Sequence, residues 1–208
     1  MFDYIFLDLD GPILEGKYRH YACYKDIVES YGGELLDLDT YWNLKRDKIT
    51  RDVVLLKSNF QASYDVFFDS WMKNIENEKY LQLDVLKPNV IETIDKWKTI
   101  SQKIVLVTMR QNRTFLLQQL KDLGIYNLLD EIIDCPPQGE NTKYEALKNK
   151  SFINAIFIGD TEEDTKTAKM LNIESIGITN GLRSKEFLDA DYYYEEIKDI
   201  DFDKLEIK

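Results

Sequence analysis

A doubly wound parallel α/β sheet interrupted by a helical insertion is the fold class that this sequence predicts. Three observations carry the prediction. Short apolar, β-branched runs alternate with helical patterns from residue 86 onward, one such run stands alone at the N-terminus, and helical periodicity fills residues 14–85 between them. In chain order, FDYIFLD is a buried strand ending near Asp8, where Gly11-Pro12 breaks it. YRHYACYKDIVESYGG has helical spacing and a Gly-Gly stop, and 37–57 and 61–79 are helical with breaks around Ile49-Thr50 and Ser58-Asn59. The chain returns near Leu86-Lys87-Pro88, where Pro88 suits the first turn of a helix over 89–98. Strands KIVLVT (103–108), NAIFIG (154–159) and ESIGIT (174–179) follow, with helices over 111–122, 142–149 and 162–171 and a last strand at Tyr192–Tyr194. The expected organisation is a core of residues 1–13 and 86–208 with a helical insert at 14–85, and a ligand crevice at the carboxyl ends of the strands.

Composition narrows the function. The 208 residues hold 27 Lys+Arg against 38 Asp+Glu, a net charge of −11, which opposes binding of a polyanion such as nucleic acid. A small anion remains compatible if a metal ion or a few cations reverse the field locally. With 44% hydrophobic and 12% aromatic residues the chain can build a core, and no apolar run approaches the ~20 residues that span a bilayer. MFDYIFLDLD has no basic leader and reads as structure, so no secretory signal is expected. Cys23 and Cys135 lie far apart with no CxxC spacing, which suggests neither a disulfide framework nor a zinc site and fits a reduced cytosol.

The informative side chains sit at strand ends. Asp8 and Asp10 in DLDG are two apart in an extended chain, so both carboxylates can face one site beside the sharp turn that Gly11 permits. Two close acids can bind a hard cation or divide into nucleophile and general acid/base; they can also simply flank a turn. Thr108 closes VLVTMR, where its hydroxyl could meet a phosphate oxygen or merely end a strand. Arg110, the nearest cation, could contact substrate or the insert, or lie solvated on the following helix. Lys143 in ENTKYEAL follows the candidate caps Asn141 and Thr142. A cation in a first helical turn opposes the helix dipole, which hints at a bound anion, although most lysines are solvated. In FIGDTEED, Gly159 frees the backbone beside Asp160, whereas Asp164 with Thr161 also imitates a capping box.

The ordered set DLDG, Thr108, Lys143 and GDTEED (159–164) resembles the haloacid dehalogenase (HAD)-like hydrolase superfamily, with a doubly wound, Rossmann-like core. The insert at 14–85 is similar to the helical cap of its phosphoglycolate phosphatase and β-phosphoglucomutase branch. That resemblance implies Asp8 as nucleophile, Asp10 as general acid/base, and Thr108 and Lys143 as holders of the phosphoryl group. The backbone N–H groups of Leu9 and Asp10 would cradle phosphate; Arg110 is a candidate substrate contact by its place beside the strand end alone. Asp8, the Asp10 carbonyl and Asp160 would hold Mg²⁺, supported by Asp164. Pro12 departs from the usual Thr or Val, beyond the N–H groups that matter, and could stiffen the entry to the cap. The expected protein is a cytosolic Mg²⁺-dependent phosphatase of a small phosphorylated metabolite, with no membrane or nucleic-acid partner. A sugar phosphomutase and a non-catalytic phospho-ligand module share the motifs, and Asp10 weighs against the dehalogenase branch. Each reading requires three distant aspartates to converge on one divalent ion.

Elsewhere His20 has no GxSxG partner and reads as a plain helix residue, the alternative being a place near substrate at the cap edge. Tyr18, Tyr21 and Tyr24 form a helical stripe that packs the insert or walls a pocket. Lys45, Arg46, Lys48 and Arg51 form either a solvated face or a cationic contact for an acidic substrate.

Overall fold

The computed structural model describes residues 1–205. The chain divides into two compact units, Met1–Glu15 with the chain from Leu86 onward, and Gly16–Val85. The first is a six-stranded parallel sheet in the order β5-β4-β1-β6-β7-β8, built from β1 (Phe2–Leu7), β4 (Ser101–Thr108), β5 (Glu131–Asp134), β6 (Ala155–Gly159), β7 (Glu174–Ile178) and β8 (Tyr192–Tyr194). Leu7 pairs with Leu106 and Ile158 on its two sides, so β1, β4 and β6 end at one level. Two-residue strands β2 (Leu14–Glu15) and β3 (Val85–Leu86) pair where the chain crosses between units. Leu14 is fully buried in the sheet's core, so the crossing falls after Glu15.

Strand alternation sorts the core into two layers. Ile5, Leu7, Ile104, Leu106, Ile156, Ile158, Ile176 and Ile178 share one face with α6 (Val90–Trp97) and α7 (Arg113–Asp122). Phe6, Val105, Val107 and Phe157 share the other with α8 (Thr142–Leu147) and α9 (Glu162–Leu171). Each of these large side chains contributes about 1.5–3 kcal/mol on burial. Covering on both faces explains why the strands read as continuous apolar runs, and it gives the doubly wound fold that the alternation predicts.

Two details depart from expectation. Pro88 precedes the helix, which opens after Asn89 in a left-handed cap conformation (φ 57°). Strand β5 was not foreseen: Glu131–Asp134 is only four residues, half-buried, with an acid at each end.

The helical unit contains α1 (Lys17–Ser30), α2 (Leu38–Arg46), α3 (Arg51–Lys57), α4 (Tyr64–Asn74) and α5 (Glu78–Leu81). Asp37 starts α2 by accepting from Thr40 N (2.9 Å), and Ser63 starts α4. Cys23, Tyr24, Val28, Tyr41, Phe67 and Trp71 anchor its core. Tyr21 and Tyr24 pack inward while Tyr18 is 49% exposed, so the tyrosine stripe is only partly buried. His20 meets the edges of Trp42 and Trp71. Lys45 and Arg51 each lie over the Trp71 ring, at 5.0 and 5.3 Å from its centroid, so these two cations are not simply solvated. Among the described residues, no helix is long and apolar enough to cross a membrane.

Candidate active site

Three strands of the sheet deliver the site at their carboxyl ends. Asp8 follows β1, held by its N–H donating to the Ile158 carbonyl at 2.9 Å. The Leu9 carbonyl accepts from Ile13 and Leu14 N–H (3.2 and 3.0 Å), closing a tight turn over residues 9–14, and the Leu9 side chain is buried in the core. Gly11 occupies that turn at φ +98°, and a Cβ on it would lie 1.9 Å from Asp160 Oδ2. No residue with a side chain fits there.

Asp8, Asp160 and Asp164 are buried, and one ligand oxygen from each lies within 4.8 Å of the others. Asp8 thus lies beside Asp160 and Asp164, which are far from it in sequence. Lys143 is fully buried at the start of α8, its ammonium 2.8 Å from Asp8 Oδ1 and 2.5 Å from Asp164 Oδ1, with the Phe157 ring 5.7 Å away. Asn141 caps α8 in a left-handed conformation without a side-chain bond. Burial works against the Lys143 charge, but Asp164 and Asp8 outweigh it and hold the ammonium protonated.

Asp164 caps the helix and also faces the carboxylate group. Its Oδ2 accepts from Asp160 N (3.2 Å), Thr161 N (3.0 Å) and Thr161 Oγ1 (2.7 Å), completing the capping box of α9, while Oδ1 meets Lys143. Its carboxylate also occupies the space beside Gly159, where a Cβ would stand 2.2 Å from Asp164 Cγ. Asp160 is bound less completely. Leu182 N donates to its Oδ2 at 2.5 Å, whereas Oδ1 is buried with no hydrogen-bond partner among the described residues.

Three carboxylates around one ammonium cannot all ionise cheaply in a dry site. Burial, reinforced by Asp164 and Asp10 and opposed by Lys143, pushes Asp8 up to about 7. Burial together with the Asp8 and Asp164 charges raises Asp160 well above the ordinary carboxylate range. An orphaned buried oxygen and an excess of carboxylates are the donor set that a hard divalent cation requires, so these residues fit Mg²⁺.

Asp10 lies apart from that cluster in its bonding, its side chain 33% exposed and both oxygens held by Arg110. Arg110 is buried in the loop before α7, so it is neither solvated nor helical. Thr108 ends β4 at the same edge, 1% exposed, its carbonyl accepting from Cys135 N at 2.8 Å and Cys135 Sγ at 3.2 Å.

Sequence reasoning missed the loop after β7. A Cβ on Gly181 would stand 2.2 Å from Asp160 Oδ2, and the next N–H, of Leu182, is the one that holds that oxygen. The Lys87 ammonium bonds the Asn180 carbonyl of the same loop. Asn180-Gly181 directly after a strand was the available signal.

The fold is similar to that of a haloacid dehalogenase-like family hydrolase from Streptococcus pneumoniae, with a TM-score of 0.76 and 19% identity over 94% of this chain and 95% of that one. A predicted phosphatase from Clostridium acetobutylicum gives 0.72 and 21% over 95% of each chain. A candidate β-phosphoglucomutase from Thermotoga maritima gives 0.66 and 17% over 94% and 95%. No curated protein matches the chain by sequence. The family model described as haloacid dehalogenase-like hydrolase matches residues 4–178, which take in every aspartate of the cluster and Lys143. The chain belongs to that family.

Proposed function

We propose that the chain is a Mg²⁺-dependent phosphatase that hydrolyses a small phosphate monoester through an aspartyl-phosphate on Asp8. The observation that carries this reading is the buried group of Asp8, Asp160, Asp164 and Lys143 at the carboxyl edge of the sheet. Asp8, the Asp10 carbonyl and Asp160 Oδ1 would hold the ion, with Asp164 behind them. When bound, Mg²⁺ screens the repulsion between the phosphate and the carboxylates. Lys143 orients Asp8 through Oδ1 and adds a cation beside the incoming phosphoryl oxygens. An Asp8 oxygen forms a bond to phosphorus as the ester P–O bond breaks, and Asp10 gives its proton to the leaving oxygen. Asp10 then takes a proton from water, whose oxygen attacks phosphorus and returns Asp8 as a free carboxylate with release of inorganic phosphate. The Leu9 and Asp10 N–H groups, Thr108 and Arg110 are the substrate-side groups of this reading, and residues 16–85 act as a cap that selects the leaving group. Two buried free thiols, Cys23 and Cys135, agree with a reducing compartment such as the cytosol.

The test is phosphate release from an aryl phosphate with Mg²⁺, wild type against Asp8→Asn. Loss of the nucleophile is expected to lower kcat by at least about 10³-fold. Equal turnover by the two proteins overturns the mechanism, and an isomerised sugar phosphate without free phosphate would make the enzyme a mutase.

A further inference from the structure

Asp160 presents its two oxygens unequally. Oδ2 accepts the Leu182 N–H at 2.5 Å and lies between two glycine backbones: a Cβ would stand 1.9 Å from it on Gly11 and 2.2 Å on Gly181. With backbone on both sides, the carboxylate has little room to turn. Oδ1 is buried with no hydrogen-bond partner among the described residues. The loop that makes this clasp, residues 179–183 after β7, is tied down along its length. Thr179 N and Asn180 N donate to the Tyr194 and Glu195 carbonyls at 2.8 and 3.2 Å. The buried Lys87 ammonium donates to the Asn180 carbonyl, and Arg183 Nε donates at 2.9 Å to Glu162 Oε2, in the first turn of α9.

From this geometry we infer that the 179–183 loop is the cation-selectivity element of the carboxylate site. It lets Asp160 offer one oxygen, Oδ1, to an ion, and thereby favours Mg²⁺ over Ca²⁺. The inference deepens the Mg²⁺ reading above and rests on it. Mg²⁺ is small and demands near-ideal octahedral geometry, which suits a carboxylate fixed in rotation and offering a single oxygen. Ca²⁺ is larger, takes about six to eight oxygens in flexible geometry, and gains from a carboxylate that turns both oxygens to it. A loosened loop would cost the small ion its fixed ligand and give the large ion a second oxygen. Lys87 and Arg183 are therefore positioning residues, acting on the ion through the loop and Asp160.

The test titrates the protein with Mg²⁺ alone and with Ca²⁺ alone at one pH, reading apparent affinity from the rise in melting temperature with metal concentration. Wild type should bind Mg²⁺ the more tightly. In Arg183→Met and Lys87→Met, Mg²⁺ binding is expected to weaken about tenfold, as when the support behind a metal ligand is lost. Ca²⁺ binding should stay within about twofold or tighten. Arg183→Lys keeps a charged partner for Glu162 and should recover part of the preference. A merely structural role would weaken both ions alike. Parallel losses, an unchanged ratio in both variants, or wild type that binds Ca²⁺ as tightly as Mg²⁺ would each overturn the inference. If Lys87→Met does not fold, Arg183→Met and Glu162→Gln, at a partly exposed pair, decide by the same ratio. Wild type that binds neither ion overturns the Mg²⁺ reading, and this role with it. Wild type that prefers Mg²⁺ yet releases no phosphate from an aryl phosphate overturns the phosphatase reading alone and leaves the loop's role standing.

Discussion

The two units bury charge in opposite ways. In the helical unit, Arg19 and Asp84 are buried and meet at 2.8 Å, a cation set against an anion. In the α/β unit, three buried carboxylates gather around the single ammonium of Lys143. A matched buried pair is already compensated and asks for nothing further. An unmatched cluster is tolerable only if protons or a cation supply the missing positive charge, and a site of that kind is where ligand chemistry belongs. Buried charge alone therefore does not mark a site in this protein; its imbalance does.

Glycine substitution puts that comparison to its hardest test. In Gly181→Ala the new Cβ would stand 2.2 Å from Asp160 Oδ2, and in Gly33→Ala it would stand 2.7 Å from Val28 Cγ1 and 2.9 Å from the Ser58 carbonyl. Both must force a shift, but only the first moves a candidate metal ligand. Displacing Asp160 by an ångström is expected to lower Mg²⁺-dependent turnover by about 10²-fold. Gly33→Ala should instead cost about 1–3 kcal/mol of stability while the folded enzyme keeps its turnover. Phosphate release and thermal melts on both variants separate the cases, and an equal loss of turnover in Gly33→Ala would break the distinction between the units.

What was legible in the sequence follows the same division. The α/β unit could be read because its strands are continuous apolar runs whose ends each carry one chemical residue: Asp8 after FDYIFL, Thr108 after KIVLV, Asp160 after AIFIG. Local spacing sufficed there. Contacts made across the fold did not show. Nothing in VTMRQ says that Arg110 will clasp a carboxylate from the first loop, and nothing in ENTKYEAL says that Lys143 will be fully buried. The Gly181–Leu182 support of Asp160 was hidden in an ordinary turn, because a close approach depends on two segments and sequence displays one. In the helical unit the breaks near Thr50 and Ser58 were readable from local signals, whereas the break between α4 and α5 inside 61–79 and the stacking of Lys45 and Arg51 on Trp71 were not.

A smaller effect comes from protons standing in for the cation. Unfolded, Asp8 titrates near 3.9; folded, burial chiefly pushes it up to about 7. Between those values the folded state holds more protons than the unfolded one, so without metal this group's contribution to stability is present at low pH and is lost as pH rises through about 7. Asp160, raised in the same direction, adds to the trend. The Asp8 part alone is on the order of a few kcal/mol. Because Mg²⁺ binds the deprotonated carboxylates, its stabilisation should grow with pH. Melting curves with and without Mg²⁺ are expected to show a gain at pH 8 several degrees larger than at pH 5 (about 2–4 °C per kcal/mol for a chain of this size). Equal gains at both would mean that the cluster is not where the ion binds.

The smallest expected effect belongs to the helical unit, at a matched pair of buried hydroxyls. Tyr24 is fully buried, its hydroxyl 2.6 Å from Ser58 Oγ and accepting from Leu36 N at 3.0 Å. Ser58 Oγ also donates to the Val54 carbonyl at 2.8 Å, so the Tyr24 hydroxyl must donate to Ser58 or leave its proton unused. In Tyr24→Phe the ring still stacks on Tyr41, 4.3 Å between centroids, and Ser58 keeps its Val54 bond. Only the Leu36 N–H and one Ser58 lone pair lose a partner, at about 1–2 kcal/mol. The expected readout is a lower melting temperature with kcat for an aryl phosphate unchanged and no change in the Mg²⁺-dependent shift. A change in that shift would mean that the helical unit's hydrogen bonds feed the carboxylate cluster, and the charge imbalance at the sheet edge would then no longer account for the site by itself.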